Sequence, residues 1–257
     1  MTDLLLARAE RFPDRVAMNV NGTGGITYWE WQRRVNRTAN GLLRAGVRRG
    51  DAIALLSGGM DWIDSAVVAC LAVLSAGACG VHLHESYPQA ELERRLAEGG
   101  VRGVIHGAGL RPPRRVGAWA RTVADLDGGD ETPVAVDLAP GDIADILHTS
   151  GTTGPAKGFT NPRGNVTFGR GPEGLRQFEK PTPMLAPMPL GTTSSATALD
   201  VAVREPGRTR SLSCGPLGRW TRCRASGPGG SSRTRSPSDS TPGRACPAGR
   251  PARWSRP

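Results

Sequence analysis

A helical repeat of apolar positions runs through residues 31–43 of this 257-residue chain. Thr27 stands three residues before Glu30, the spacing of a capping box, so we expect the helix to begin near Tyr28. Gly46 follows the last apolar position and predicts the helix end. The apolar side of the predicted helix carries Trp31, Val35, Thr38, Ala39, Leu42 and Leu43.

Short, uninterrupted apolar runs predict buried strands further along the chain, at residues 52–56, 80–83, 102–106 and 143–147. Helical patterns lie between the first of these strands. One is an apolar helix over residues 61–77, and the other is a charged surface helix over residues 88–96. Strands that alternate with helices predict an α/β fold with a largely parallel sheet flanked by helices.

The stretch HTSGTTGPAKG, residues 148–158, follows the last of these strands and carries the clearest chemical signal. It offers backbone N–H groups beside glycines, several hydroxyls and one ammonium group, which together suit a phosphate chain. It is not a Walker loop, because Lys157 precedes Gly158 and is not followed by Ser or Thr. The predicted phosphate-binding residues are Thr149, Ser150, Gly151, Thr152, Thr153, Gly154 and Lys157.

The segment TSGTTGPAKG closely resembles the phosphate-binding loop of the adenylate-forming (AMP-binding) superfamily, whose pattern is T-S-G-T-T-G-x-P-K-G. Ala156 is the one departure from it. Downstream, only Asn165 remains of a His-Arg-Asn segment that often follows in the family. The stretches at 11–18, 26–56, 70–88 and 100–106 resemble the family's N-terminal blocks in their usual order, so the resemblance covers residues 1 to about 195.

The superfamily includes acyl-CoA synthetases and the adenylation domains of nonribosomal peptide synthetases. The resemblance therefore implies the N-terminal part of the layered adenylate-forming fold. It also implies an ATP-dependent ligase with Mg²⁺ as the phosphate partner. A carboxylic acid would react with ATP to give acyl-adenylate and pyrophosphate, and the thiol of CoA or phosphopantetheine would then take the acyl group. The acid, the choice between the two thiols and the oligomeric state stay open.

Composition changes sharply near residue 200. Residues 1–200 hold 21 basic and 21 acidic residues, whereas residues 201–257 hold 12 arginines, no lysine and two acidic residues. Arg, Ser, Pro and Gly make up 37 of those last 57 residues. Such a segment buries too little apolar surface to offset the entropy of ordering it. We therefore expect a partial AMP-binding domain over residues 1–200 and a disordered basic tail over 201–257.

The tail has two interpretations. Its residue types are those of G- and C-rich codons, so we favour an out-of-frame translation product of a high-GC gene. An arginine-rich arm for nucleic acid is the alternative, but the tail lacks the Arg-Gly-Gly or Arg-Ser repeats and the interleaved aromatics of such arms. We therefore expect no nucleic-acid partner.

Later motifs of the family are missing from this sequence. We find no aromatic-rich motif with Thr-Glu for adenine, no later Asp for the ribose and no lysine after Lys180. We therefore expect an N-terminal fragment that does not form acyl-adenylate by itself. The alternative is a non-catalytic remnant or pseudogene product that at most binds nucleotide weakly. No catalytic residue is assigned.

Histidines and cysteines carry no assigned chemistry at this stage. His82 and His84 lie on one side of a predicted strand, and a metal site would need further ligands nearby, so we expect structural roles and assign no metal ligand. The five cysteines form no C-x-x-C pair, which favours a reducing cytoplasm. No apolar run is long enough to predict a membrane span.

Overall fold

The computed structural model describes residues 2–20, 24–58, 63–114, 117–148, 158–166, 185–186 and 209–211. All of them belong to the first of two compact units, Met1–Arg219. The second unit, Trp220–Pro257, lies outside the described residues.

Helices and strands alternate along most of the described chain. The N-terminal elements are α1 (Thr2–Arg11), β1 (Val16–Val20), β2 (Gly24–Thr27), α2 (Tyr28–Arg44) and β3 (Ala52–Ser57). A π-helical segment (Ile63–Val68) runs into α3 (Ala69–Ser75), followed by β4 (Cys79–His84), α4 (Gln89–Glu98), β5 (Gly103–His106), β6 (Trp119–Arg121) and α5 (Val123–Leu126). The last elements are β7 (Ile143–His148), β8 (Gly158–Pro162), α6 (Arg163–Val166), β9 (Leu185–Ala186) and β10 (Thr209–Ser211).

Within the described residues, six strands form the main sheet in the order β6-β5-β3-β4-β7-β8. Every neighbouring pair is parallel except β7 with β8, which is antiparallel. A second described sheet has the order β2-β1-β10-β9. The predicted α/β class with a largely parallel sheet flanked by helices is therefore confirmed.

Helix α2 begins where the sequence predicts. The Thr27 hydroxyl accepts a hydrogen bond from the Glu30 N–H at 3.1 Å, which satisfies one of the free donors of the first turn. Trp31, Val35, Ala39 and Leu42 of the predicted face are buried in the core, and Leu43 packs against it partly buried. The spacing of apolar residues and the threonine cap thus account for the position of this helix.

The two faces of the main sheet are covered by different helices. Ile53 and Leu55 of β3 pack with apolar residues of α2 and α3. Ala54 and Leu56 face the other way and pack with apolar residues of α4. Burial on both faces explains why this strand is an uninterrupted apolar run with no polar alternation.

The predicted apolar helix over residues 61–77 differs from the structure in its first part. Residues Ile63–Val68 are π-helical and become α-helical only at Ala69. The carbonyl of Val67 accepts a hydrogen bond from the indole N–H of Trp31 at 3.3 Å, so this backbone group has a partner outside its own helix. Apolar spacing in the sequence predicts a helix here but does not distinguish a short π-helix from an α-helix.

One described segment lies inside the tail for which composition predicts disorder. Thr209–Ser211 form β10, which pairs in parallel with β1 and also with β9. Strand pairing uses backbone groups alone, so it needs none of the apolar residues that the segment lacks. It is the one described part of residues 201–257.

No helix in the described part of the chain is long and apolar enough to cross a bilayer.

Gly41 is a position where packing permits no side chain. A Cβ added there would overlap the backbone carbonyl of Leu126, the last residue of α5, which packs against α2 at this point. Alanine would improve helix propensity by about 1 kcal/mol. We predict that Gly41→Ala nevertheless lowers the free energy of unfolding by about 1–3 kcal/mol, because the backbone of α5 must move away from α2 to admit the methyl group. Urea unfolding of the purified chain measures it.

The control for that substitution is Gly141→Ala, where an added Cβ meets no atom within 4 Å. We expect that variant to stay within about 0.5 kcal/mol of the wild type. Equal unfolding free energies for both variants would show that the α2–α5 contact is not as close as described.

Candidate functional site

Four parallel strands end at the same edge of the main sheet. Because β3, β4, β5 and β7 run in one direction, their last residues lie side by side there, namely Ser57, His84, His106 and His148. Ligands of open α/β sheets bind outside the carboxyl ends of the strands. This edge is therefore the candidate site.

The predicted phosphate loop leaves the sheet at this edge. Its residues Thr149, Ser150, Gly151, Thr152, Thr153, Gly154 and Lys157 lie outside the described residues, so their assignment stays a prediction. Both flanks are described. His148 ends β7 and pairs with Gly158, the first residue of β8. The antiparallel pairing therefore holds the two ends of the loop next to each other at the carboxyl edge.

His148 is the last described residue before the loop. Its side chain is half-buried, and burial, together with the charges of Arg95 and Arg94 on α4, lowers its pKa to about 4. Its Nδ1 atom is buried and has no hydrogen-bond partner among the described residues. At neutral pH the loop therefore begins beside an uncharged imidazole.

Helix α4 supplies two cations whose charges act on His148, and both have carboxylate partners. Arg95 is buried, stacks on the ring of Tyr87 at 4.2 Å and pairs with Glu91 at 2.7 Å. Arg94 pairs with Glu91 at 2.7 Å and also with Glu98. The side-chain hydrogen bonds from Arg94 and Arg95, with the charges of both, lower the pKa of Glu91 to about 2 against the opposing effect of burial. These groups form a network of ion pairs on α4, and its charges act on His148.

Arg163 anchors the chain just after β8. Its guanidinium donates to the carbonyls of Leu74 at 2.9 Å and Ala78 at 3.0 Å, where α3 ends and β4 begins. The Leu74 carbonyl belongs to the last turn of α3 and the Ala78 carbonyl lies just beyond the helix, and a cation is favourable at that end of a helix. Arg163 therefore fixes the exit of the predicted loop to the core.

His84, one of the two histidines for which we expect structural roles, lies at the sheet edge. Its Nδ1 is 2.8 Å from the Ser86 hydroxyl and accepts from the Ser86 N–H at 3.1 Å. Burial lowers its pKa. Local hydrogen bonds thus orient this ring within its own turn.

His82 takes part in a buried cluster with two partners that the sequence did not reveal. Its Nε2 lies 2.8 Å from Oδ1 of Asp145 on the neighbouring strand β7. Cys70 of α3 is the third member, and the three ligand atoms lie within 4.8 Å of one another. Asp145 is the sequence feature that could have predicted this cluster, because a carboxylate inside the apolar run IADIL needs a buried partner.

The electrostatics of the cluster favour a protonated imidazole. Burial lowers the pKa of His82, but the hydrogen bonds to Asp145 and Cys70 raise it by more, to about 10. Burial raises the pKa of the Cys70 thiol. The cluster therefore holds an imidazolium–carboxylate pair next to a neutral thiol at neutral pH.

We predict that Asp145→Asn destabilises the chain by about 3–5 kcal/mol near neutral pH, because it leaves buried His82 without its counter-charge. The raised pKa of His82 makes the pair's contribution complete below its ordinary pKa of 6.5 and lost as pH rises through about 10. The stability difference between wild type and variant should shrink from pH 6 to pH 9. Urea unfolding in EDTA at both pH values measures it.

Asp137→Asn is the matched control, because that carboxylate is fully exposed and lies 4.0 Å from Arg49. It should change stability little at either pH. A difference between wild type and Asp145→Asn that is the same at both pH values would refute the ion pair.

Comparison with known proteins identifies the family to which the chain is related. The family model described as "AMP-binding enzyme" matches residues 5–199. Feruloyl-CoA synthase of an Amycolatopsis species is 35% identical over 165 residues, which cover 63% of this chain and 33% of that protein. N-(5-amino-5-carboxypentanoyl)-L-cysteinyl-D-valine synthase of Streptomyces clavuligerus is 34% identical over 177 residues, covering 62% of this chain and 21% of its own length.

The fold agrees with this result. The o-succinylbenzoate CoA synthetase of Bacillus subtilis, solved with its acyl-adenylate intermediate, superimposes with a TM-score of 0.67 at 23% identity, covering 82% of this chain and 55% of that one. The chain thus spans about a third of the feruloyl-CoA synthase that it matches. Because the family model covers most of its length, the chain belongs to the AMP-binding enzyme family.

Proposed function

We propose that this chain carries the phosphate-binding part of an ATP-dependent, AMP-forming ligase that joins a carboxylic acid to a thiol. The observation that carries the proposal is the position of residues 149–157, whose sequence suits a phosphate chain, between two strands paired at the carboxyl edge of a parallel sheet. The family match and the relatives that activate acids support it.

The loop would act by holding and neutralising phosphate oxygens. The hydroxyls, the backbone N–H groups of Gly151 and Gly154, and the ammonium of Lys157 would bind the β- and γ-phosphates. A carboxylate would attack the α-phosphate, and the loop would stabilise the negative charge as pyrophosphate leaves. Mg²⁺ bound to the phosphates would supply further charge neutralisation. This role is positioning and electrostatics, with no proton transfer by the loop.

The second half-reaction passes the acyl group to a thiol. Feruloyl-CoA synthase is named for a CoA product, and this supports CoA as the acceptor here. The similarity to the cysteinyl-valine synthase supports a carrier-bound phosphopantetheine instead. Both acceptors stay within the proposal, as does any small carboxylic acid, and no nucleic-acid or membrane partner is included. The buried free thiols of Cys70 and Cys79 support a cytoplasmic location.

We propose further that the chain alone does not complete the reaction. The family match ends at residue 199, next to the change in composition near residue 200. The arginine-rich residues 201–257 contain no lysine that could contact the reacting carboxylate. Catalysis by charge stabilisation needs such groups fixed around the substrate. The alternative is a remnant that binds nucleotide without any reaction.

We predict that the purified chain binds Mg·ATP through Lys157. Calorimetric titration should show that Lys157→Ala weakens binding at least about tenfold, because a hydrogen bond to a charged group is lost. Lys180→Ala is the matched control, since it removes the same charge from the chain's other lysine and should leave the affinity unchanged. Equal affinities for the two variants would refute the phosphate role of the loop.

Pyrophosphate exchange separates the two interpretations of activity. We expect the wild-type chain to exchange pyrophosphate into ATP no faster than Lys157→Ala, with any of a panel of fatty, aryl and amino acids. Faster exchange by the wild type than by Lys157→Ala would show that residues 1–257 suffice for adenylate formation. That result would overturn the proposal that the chain alone is inactive and would support the phosphate-binding role of the loop.

The out-of-frame origin of the tail has its own test. Translation of the gene across codons 190–215 in the other two frames should reveal a family-like continuation with an adenine-binding motif. A verified DNA sequence with no such continuation in either frame would refute this origin and leave the arginine-rich tail as the genuine product.

A further inference from the structure

We propose that Cys70, His82 and Asp145 form a buried binding site for a divalent transition-metal ion, with zinc as the ion that matches the donors best. The three side chains come from α3, β4 and β7 and meet in the core. All are more than nine-tenths buried. The proposed nucleotide chemistry does not use any of them.

The donor set selects the class of metal. Thiolate sulfur, imidazole nitrogen and a carboxylate oxygen are together the ligands of zinc and its neighbours, whereas Mg²⁺ and Ca²⁺ prefer oxygen alone. The site is therefore distinct from the Mg²⁺ that would accompany ATP. Three protein ligands leave a fourth tetrahedral position open for water or another small ligand.

The distances suit a metal after small side-chain rotations. The His82 Nε2 and Asp145 Oδ1 atoms are 2.8 Å apart, and all three ligand atoms lie within 4.8 Å of one another. Tetrahedral zinc with bonds of about 2.0–2.1 Å to nitrogen and oxygen would hold those two atoms about 3.3 Å apart. The imidazole and carboxylate would thus separate by about half an ångström to admit the ion.

The backbone leaves room for this arrangement at Gly80. Parallel pairing sets Gly80 of β4 directly beside Asp145 of β7. A Cβ added to Gly80 would lie 3.2 Å from Asp145 Oδ1 and 3.5 Å from His82 Nε2. The missing side chain therefore leaves these two ligand side chains free space between their strands.

Charge balance is also favourable. A divalent ion bound to one thiolate, one carboxylate and one neutral imidazole forms a group with no net charge, which reduces the cost of burial. The ion would take the place of the proton on His82 and of the thiol proton of Cys70, so acid should weaken binding. Arg163, whose charge interacts with Asp145 and Cys79, is the nearby cation that opposes the metal.

Cobalt(II) tests the proposal because its thiolate complexes absorb in the near ultraviolet and its tetrahedral complexes in the visible. The full chain is used with Cys214, Cys223 and Cys246 changed to Ser, so that Cys70 and Cys79 are the remaining thiols. We expect both absorptions to saturate at one equivalent of Co²⁺ at pH 8, to weaken at pH 6 and to disappear when zinc is added.

Two variants in that background locate the site. Cys70→Ser should abolish the thiolate absorption, whereas Cys79→Ser should retain it, because Cys79 is buried on β4 but is not part of the cluster. Gly80→Ala should weaken the affinity for cobalt at least about tenfold by crowding two ligands. Far-ultraviolet circular dichroism checks that each variant is folded.

The outcomes are decisive even if Cys70→Ser does not fold. A concentration of about 1 mM Co²⁺ is ample for a three-ligand site. If the parent chain shows no thiolate absorption at that concentration, the proposal is overturned. Loss of the absorption in folded Cys79→Ser, or its persistence in Cys70→Ser, overturns it as well. X-ray absorption of the parent chain should show one sulfur with nitrogen and oxygen ligands, and a shell without sulfur would contradict the site.

Discussion

Parallel pairing of β3 with its neighbours β4 and β5, and of β4 with β7, is the constraint on which the rest of the structure depends. It brings four strand ends to one edge of the sheet, and it requires helices on both faces to bury apolar side chains. Among the described strands of the main sheet, only β8 runs antiparallel to its neighbour, and it follows the predicted phosphate loop directly. The loop is thus held at both ends by the sheet it leaves.

The core behind that edge is not purely apolar. The His82–Asp145 pair bridges β4 and β7 beneath the strand ends, and Arg163 ties the segment after β8 to α3. Both contacts lie close to the loop in sequence: Asp145 precedes it on β7 and Arg163 follows β8. A buried pair is costly to break and contributes little net stability, so its effect is to fix one arrangement of these strands. We infer that position, more than stability, is what these polar groups provide.

Local patterns in the sequence predicted much of the fold and little of the buried chemistry. The cap at Thr27 and the apolar runs predicted α2, β3 and β7, because each depends on neighbouring residues. The π-helical form of Ile63–Val68 was not predicted, since apolar spacing over a helix of this length does not separate it from an α-helix. The cluster at His82 was missed because Asp145 is 63 residues away, and only strand pairing brings it close. The loop residues 149–157 stay predictions from sequence.

Hydrogen–deuterium exchange of the full chain, with and without Mg·ATP, tests the central claim most directly. We expect amide hydrogens in peptides that contain residues 149–157 to exchange more slowly when nucleotide is added, because the backbone N–H groups there would bind phosphate oxygens. Peptides from α1, whose residues Leu4 and Leu5 are buried in the apolar core, should be unaffected. Unchanged exchange in the loop at saturating Mg·ATP would contradict the claim that this segment holds the nucleotide.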